Sequence, residues 1–173
     1  VKWKARYVAG GHRQLRDDEI NTSSPTSNRS SVMMIAAIAA HESRVVATAD
    51  VKCAFLNAHM NTDVFMKIDK QISQLLLSIE PSYQQFINDD GTIIVKLLRA
   101  LYGCLQSSKL WYDELSSFIE SIGFVKSEND VCLFTKLEDD QSTTHLSVYV
   151  DDLLITSTNK IYISRVEQQL IQK

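Results

Sequence analysis

Asp151 and Asp152 follow Ser147-Val148-Tyr149-Val150 and precede Leu153-Leu154-Ile155, so two adjacent acids sit between apolar runs, as at the tip of a hairpin. Turn chemistry is one explanation, because Asp tolerates left-handed backbone. Asn-Gly or Asp-Gly is the commoner solution, and neighbouring like charges repel unless a cation lies between them. Asp50 adds a third carboxylate at the end of a predicted strand, Arg44 to Asp50, where it could also merely cap a following turn or helix. Carboxylates from a strand end and a hairpin tip can build an oxygen-only site for hard divalent ions. Two such ions, roughly 3.5–4 Å apart, clamp the attacking and leaving oxygens of an in-line phosphoryl displacement.

These acids need elements to position them. Ala5 to Ala9 reads as a strand stopped by Gly10-Gly11. Val32, Ile35, Ala36 and Ala39 recur at helical spacing behind Ser27 or Asn28 as cap. Asp69 to Phe86 is helix-like and broken at Pro81, Asn88 to Gly91 is a turn, and Thr92 to Leu97 a strand. Trp111, Leu115, Phe118 and Ile122 mark one face of a helix, with Ser107 or Ser108 as cap and Gly123 as terminator. Val131 to Lys136, His145 to Val150 and Leu153 to Ser157 read as strands, and Ile163, Val166 and Leu170 open a last helix. Helices mixed with antiparallel hairpins predict an α+β fold.

With 173 residues, 45% hydrophobic and 23% charged, the chain has material for one compact domain, and it lacks low-complexity tracts and internal repeats. Its longest apolar run, Val32 to Ala40, is too short to span a bilayer, and no signal-peptide pattern opens it, so no membrane role is expected. Cys53, Cys104 and Cys132 are spaced for neither a disulfide framework nor a zinc site, and four scattered histidines make no metal cluster or Ser-His-Asp arrangement. A net charge of -3 weighs against nucleic-acid binding. Its distribution weighs the other way: Lys2, Lys4, Arg6, Arg13 and Arg16 form a basic N-terminal stretch without acids, while Glu138, Asp139 and Asp140 crowd a later loop.

Tyr149-Val150-Asp151-Asp152 resembles the Tyr-X-Asp-Asp signature of reverse transcriptases. Three further blocks, in the right order, resemble the copia-type retrotransposon subgroup: Lys4 to Ala9, Asp50 to Asn57, and Leu101-Tyr102-Gly103 followed by Gln106-Ser107 and Trp111-Tyr112. The resemblance implies a reverse transcriptase domain of a Pol polyprotein with a right-hand polymerase fold. Its palm would be a ferredoxin-like antiparallel sheet with packed helices, joined by part of the fingers, with the thumb absent. About 1–43 would be partial fingers and a connecting helix, and about 44–173 mainly palm, with a fingers-like insert at about 62–105. Asp50, Asp151 and Asp152 would be the catalytic, metal-binding triad for two Mg²⁺ ions, or Mn²⁺. Arg6, Phe55, Tyr102, Gly103 and Tyr149 would bind nucleotide, Arg6 at the triphosphate and Phe55 beneath the sugar, where it excludes a 2′-hydroxyl. The implied partners are an RNA or DNA template with primer, dNTPs, and the remaining polyprotein with its integrase, thumb and RNase H. The implied location is the cytoplasm, in the element's virus-like particle, or the nucleus.

The chain departs from the subgroup's pattern at Gly10, where Lys is usual, at Cys104-Leu105, where Leu-Lys is usual, and at Ser108, where Pro is usual. Losing cations near a nucleotide or template path keeps a second reading open: a truncated, catalytically silent remnant with at most a nucleic-acid-binding or interaction role.

Overall fold

A computed structural model describes residues 5–14 and 22–171. Alternating side chains set up the main sheet, whose order is β1 (Val45–Asp50), β7 (Asp152–Ser157), β6 (Thr143–Tyr149), β5 (Leu133–Leu137) and β4 (Val125–Lys126), every neighbour antiparallel. Successive strand residues face opposite sides. Ala47, Ala49, Leu146, Val148, Leu153, Ile155 and Phe134 therefore share one face. There they meet Trp111, Leu115 and Ile119 of α4 (Ser107–Ser121) and Ile163 and Val166 of α5 (Lys160–Ile171), which form the core. On the other face lies α1 (Arg29–His41), which buries Ile35 and Ala39 and is capped by the Asn28 side chain accepting from the Ser30 N–H. The Ser27 and Ser147 hydroxyls hydrogen-bond at 2.7 Å beneath its start.

A second ladder stands apart: β2 (Phe65–Ile68) pairs antiparallel with β3 (Ile93–Lys96), linked through α3 (Lys70–Ile79) and a 3-10 turn at Pro81–Phe86. Pro81 ends the helix as expected from its missing N–H, and Gly91, at φ +79, turns the chain into β3. The mixture of helices and antiparallel sheets is the α+β class read from the sequence.

Several local expectations are corrected. Ala5 to Ala9 is not a strand. Among the described residues, its backbone is tied to the body by the Ala9 N–H donating to the Tyr102 carbonyl at 2.7 Å, and no ladder forms there. Neither Ser107 nor Ser108 caps α4: Gln106 holds the N-cap position without a side-chain bond, and the Ser107 hydroxyl donates to the Leu101 carbonyl instead. The predicted strand at Val131 begins at Leu133, because Asp130 takes the Cys132 N–H on its carboxylate and the Leu133 N–H on its carbonyl, making a turn there. β2, β4 and the single turn α2 (Ala54–Asn57) are too short to leave a periodic signal. Of the basic N-terminal residues, Lys2, Lys4 and Arg16 lie outside the described residues.

Candidate active site

β6 and β7 are joined by a two-residue loop, Val150-Asp151, with Tyr149 and Asp152 as the last pair. On the other side of β7, Asp50 pairs with Asp152, and the Val51 N–H donates to the Asp151 carbonyl at 2.9 Å. That bond is the one flanking a non-hydrogen-bonded pair, the close type, in which facing Cβ atoms stand about 4.5–5.5 Å apart. Asp50 and Asp152 thus project from the same face as direct neighbours, Tyr149 completes the row, and Asp151 sits at the tip. All four are exposed.

Like charges directly opposed across a ladder are destabilising. Among the described residues, no ion pair or side-chain hydrogen bond relieves Asp50, Asp151 or Asp152. A hard divalent cation is the partner that such an all-oxygen donor set suits, so the residues fit the expected ion by chemistry and backbone placement. The side chains as they stand are not gathered into a finished cage: among the described residues, no three His, Cys, Asp or Glu side chains are close enough to hold a metal ion.

The tip is strained. Val150 has φ +59, a conformation that a β-branched residue rarely adopts and that costs on the order of 1–3 kcal/mol. Beneath it, the buried indole of Trp111 donates from Nε1 to the Val150 carbonyl at 2.7 Å. Behind the hairpin, burial pushes the Tyr112 phenol up to about 12 and the Cys132 thiol up to about 11. Tyr112 donates its hydroxyl to the Val131 carbonyl, and the Cys132 carbonyl receives the Val148 N–H.

From Asp50 the chain turns through Cys53, at φ +55, into α2. This packs Ala54 into the core and leaves Phe55 half-buried, its ring 5.0 Å from that of Tyr102 and tilted by 59°. The Tyr102-Gly103 loop receives the N-terminal segment. Gly103 has φ +93, and a Cβ there would lie 2.2 Å from the Ala9 carbonyl oxygen, while one on Gly11 would lie 1.8 Å from the Gly103 carbonyl oxygen. The two backbones touch because both positions are glycine. Arg6 is exposed three residues before this anchor. The structure thus brings together Asp50, Asp151, Asp152 and Tyr149 as one group, and Phe55 with Tyr102, Gly103 and the segment bearing Arg6 as a second.

Two supporting residues escaped the sequence reading. Trp111 registered as a helix-face residue and as part of the third resemblance block, without a role at the hairpin. Gln106, 1% exposed, is a buried amide clamp: its Oε1 accepts from Gln14 Nε2 at 2.7 Å and its Nε2 donates to Thr62 Oγ1 at 3.2 Å, while Gln14 Oε1 accepts the Leu105 N–H. Both lie in the block Leu101 to Tyr112 that carries the resemblance, and that block was the available signal.

Comparison with known proteins gives these observations a family. The profile of the family described as reverse transcriptase (RNA-dependent DNA polymerase) matches residues 1–173. The chain is 33% identical over 178 residues to the retrovirus-related Pol polyprotein from transposon RE1 of Arabidopsis thaliana, covering 99% of this chain and 11% of that protein. It is 30% identical to the corresponding polyprotein from transposon RE2 of the same plant and 28% identical to that from transposon TNT 1-94 of Nicotiana tabacum, with 99% and 98% of this chain covered and 11% and 12% of theirs. The chain therefore spans about a tenth of the length of the curated relatives it matches. No solved structure matches. The chain belongs to the reverse transcriptase family, as a domain of the copia-type retrotransposon Pol polyproteins.

Proposed function

We propose that this domain extends a primer on an RNA or DNA template by phosphoryl transfer from dNTPs, with Asp50, Asp151 and Asp152 holding two Mg²⁺ ions, or Mn²⁺. The observation that carries the reading is the facing pair Asp50 and Asp152 beside Asp151, all exposed and without a cation partner among the described residues. When bound, the ions supply charge neutralisation for the attacking and leaving oxygens. The chain's own share is placement. Asp50, on a strand, and Asp152, on its neighbour, are held in register by the ladder, while Asp151 depends on the turn. Phe55, braced by Tyr102, presents a rigid edge that would exclude an added sugar hydroxyl, with Gly103 and Tyr149 lining the same nucleotide path. Arg6 offers a cation to the triphosphate.

On this reading the main sheet with α4 and α5 is the palm. With β4 and β5, which extend the sheet beyond β6, set aside, the order β1, α4, β6, β7, α5, with β7 between β1 and β6, follows the start of a ferredoxin-like βαββα unit. β2, α3 and β3 form the fingers-like insert, and about 1–43 the remaining fingers portion and connecting helix. The thumb, RNase H and integrase would come from the rest of the polyprotein, and the work would take place in the element's particle in the cytoplasm or in the nucleus.

Primer extension by a polyprotein fragment that contains this chain and its downstream region tests the reading, on both RNA and DNA templates. Asp151→Asn should abolish extension. Phe55→Val should raise ribonucleotide incorporation relative to deoxynucleotide incorporation. No extension from the unaltered protein, with intact folding, would favour the catalytically silent remnant to which the missing cations at Gly10 and Leu105 point.

A further inference from the structure

Val150 is a β-branched residue at φ +59 in the two-residue loop that carries Asp151 and leads into Asp152. Two-residue hairpin loops with a positive φ at the first position ordinarily use glycine, asparagine or aspartate there, not a β-branched residue. Valine at that φ persists only where its surroundings over-determine it, and the contact able to do so is underneath. Trp111, 3% exposed on α4, donates its indole N–H to the Val150 carbonyl at 2.7 Å across 39 positions of sequence. Val148 and Leu153, one pair further down the same hairpin, are buried in the core that contains Trp111. The indole thus meets the hairpin where the ladder ends, at a carbonyl that inter-strand bonding leaves free.

We infer that Trp111 is a positioning residue: its indole N–H locks the Val150 peptide in the left-handed conformation and thereby sets the direction in which the Asp151 and Asp152 carboxylates leave the turn. The inference rests on the proposed metal-binding role of those carboxylates, but its structural half does not depend on it. A buried indole needs some acceptor in any case. The difference from simple satisfaction is that the backbone angle of Val150 should depend on the bond.

Trp111→Phe keeps the apolar bulk and removes the donor. In the 173-residue chain, the three-bond coupling and carbon shifts of Val150 should leave the positive-φ pattern in this variant. Mg²⁺ affinity, read by calorimetry with Mg²⁺ alone, should fall about five-fold, the factor expected for one neutral hydrogen bond. Adding Val150→Gly should restore affinity to within about two-fold, because glycine adopts positive φ without a Cβ penalty. A Trp111→Phe variant that keeps Val150 at positive φ overturns the inference, whatever its Mg²⁺ affinity. If the unaltered chain binds no Mg²⁺ while Val150 still responds to Trp111, the lock stands and its role in metal positioning falls with the proposed active site. Should Trp111→Phe fail to fold, Val150→Gly alone decides: relief of a held strain raises its melting temperature, and a lowered one overturns the inference.

Discussion

Two antiparallel hairpins in this molecule have opposite designs. β6 and β7 lie inside a sheet covered by α4 and α5 on one face and α1 on the other, with Leu146, Leu153 and Ile155 at 0–1% exposure. Their tip presents opposed, unrelieved charges on a strained turn. β2 and β3 form a ladder of their own, with Phe65 at 63%, Ile94 at 58% and nearby Leu98 at 71% exposure, trimmed by surface ion pairs from Lys67 to Asp90 and Lys96 to Asp63. The first spends the stability of a well-packed base on holding charges that repel one another; the second has little base and little strain. A strained functional tip requires a core that over-determines it.

The largest effects should therefore fall on the first hairpin's base. Phe134→Ala, fully buried on neighbouring β5, should cost about 3–5 kcal/mol. Ile94→Ala on the second hairpin should stay within about 0.5 kcal/mol. Paired chemical denaturation measures both, and equal losses would erase the distinction.

A middle-sized effect is expected where the N-terminal segment docks. Gly103→Ala forces a Cβ to 2.2 Å from the Ala9 carbonyl at a positive φ, so the segment must lift from the Tyr102 loop. The cost should be roughly 1 kcal/mol or more. Limited proteolysis within residues 5–14 should accelerate while the main melting transition keeps its cooperativity.

The smallest effect is a pH dependence far from the tip. Burial, with the Arg44 charge adding to it, holds the His145 imidazole below its ordinary range, between the Thr135 and Thr143 hydroxyls. A depressed histidine pKa means that the unfolded chain takes up the proton first. Its contribution is therefore present above about pH 6.5, the unfolded value, and is lost as pH falls below it toward the lower folded value. Melting temperature should drop over that interval, and His145→Gln should flatten the drop.

Much of this was legible in the sequence, for physical reasons that differ by element. The helix marked by Trp111 and Leu115, whose buried row runs on through Ile119 and not Phe118, the breaks at Pro81 and Gly91, and the hairpin around Asp151-Asp152 showed themselves because periodicity and turn chemistry are local. The opposition of Asp50 to Asp152 was not readable, since register across 102 residues of sequence is a tertiary fact. The same holds for the Trp111 bond and the glycine contact between residues 11 and 103. Ala5 to Ala9 read as a strand because its residues suit one, but strand propensity expresses a fit to neighbours, which that segment lacks.

The central claim is that the facing carboxylates form one cation site, and a thermal melt of the chain with and without Mg²⁺ addresses it most directly. In EDTA, Asp152→Asn should melt higher than the unaltered chain, because removing one of two opposed charges relieves roughly 0.2–1 kcal/mol of repulsion. With Mg²⁺, the unaltered chain should gain stability with concentration as a ligand of the folded state does, and Asp152→Asn should gain little. If the variant melts no higher in EDTA and both proteins respond equally to Mg²⁺, the carboxylates do not share an ion.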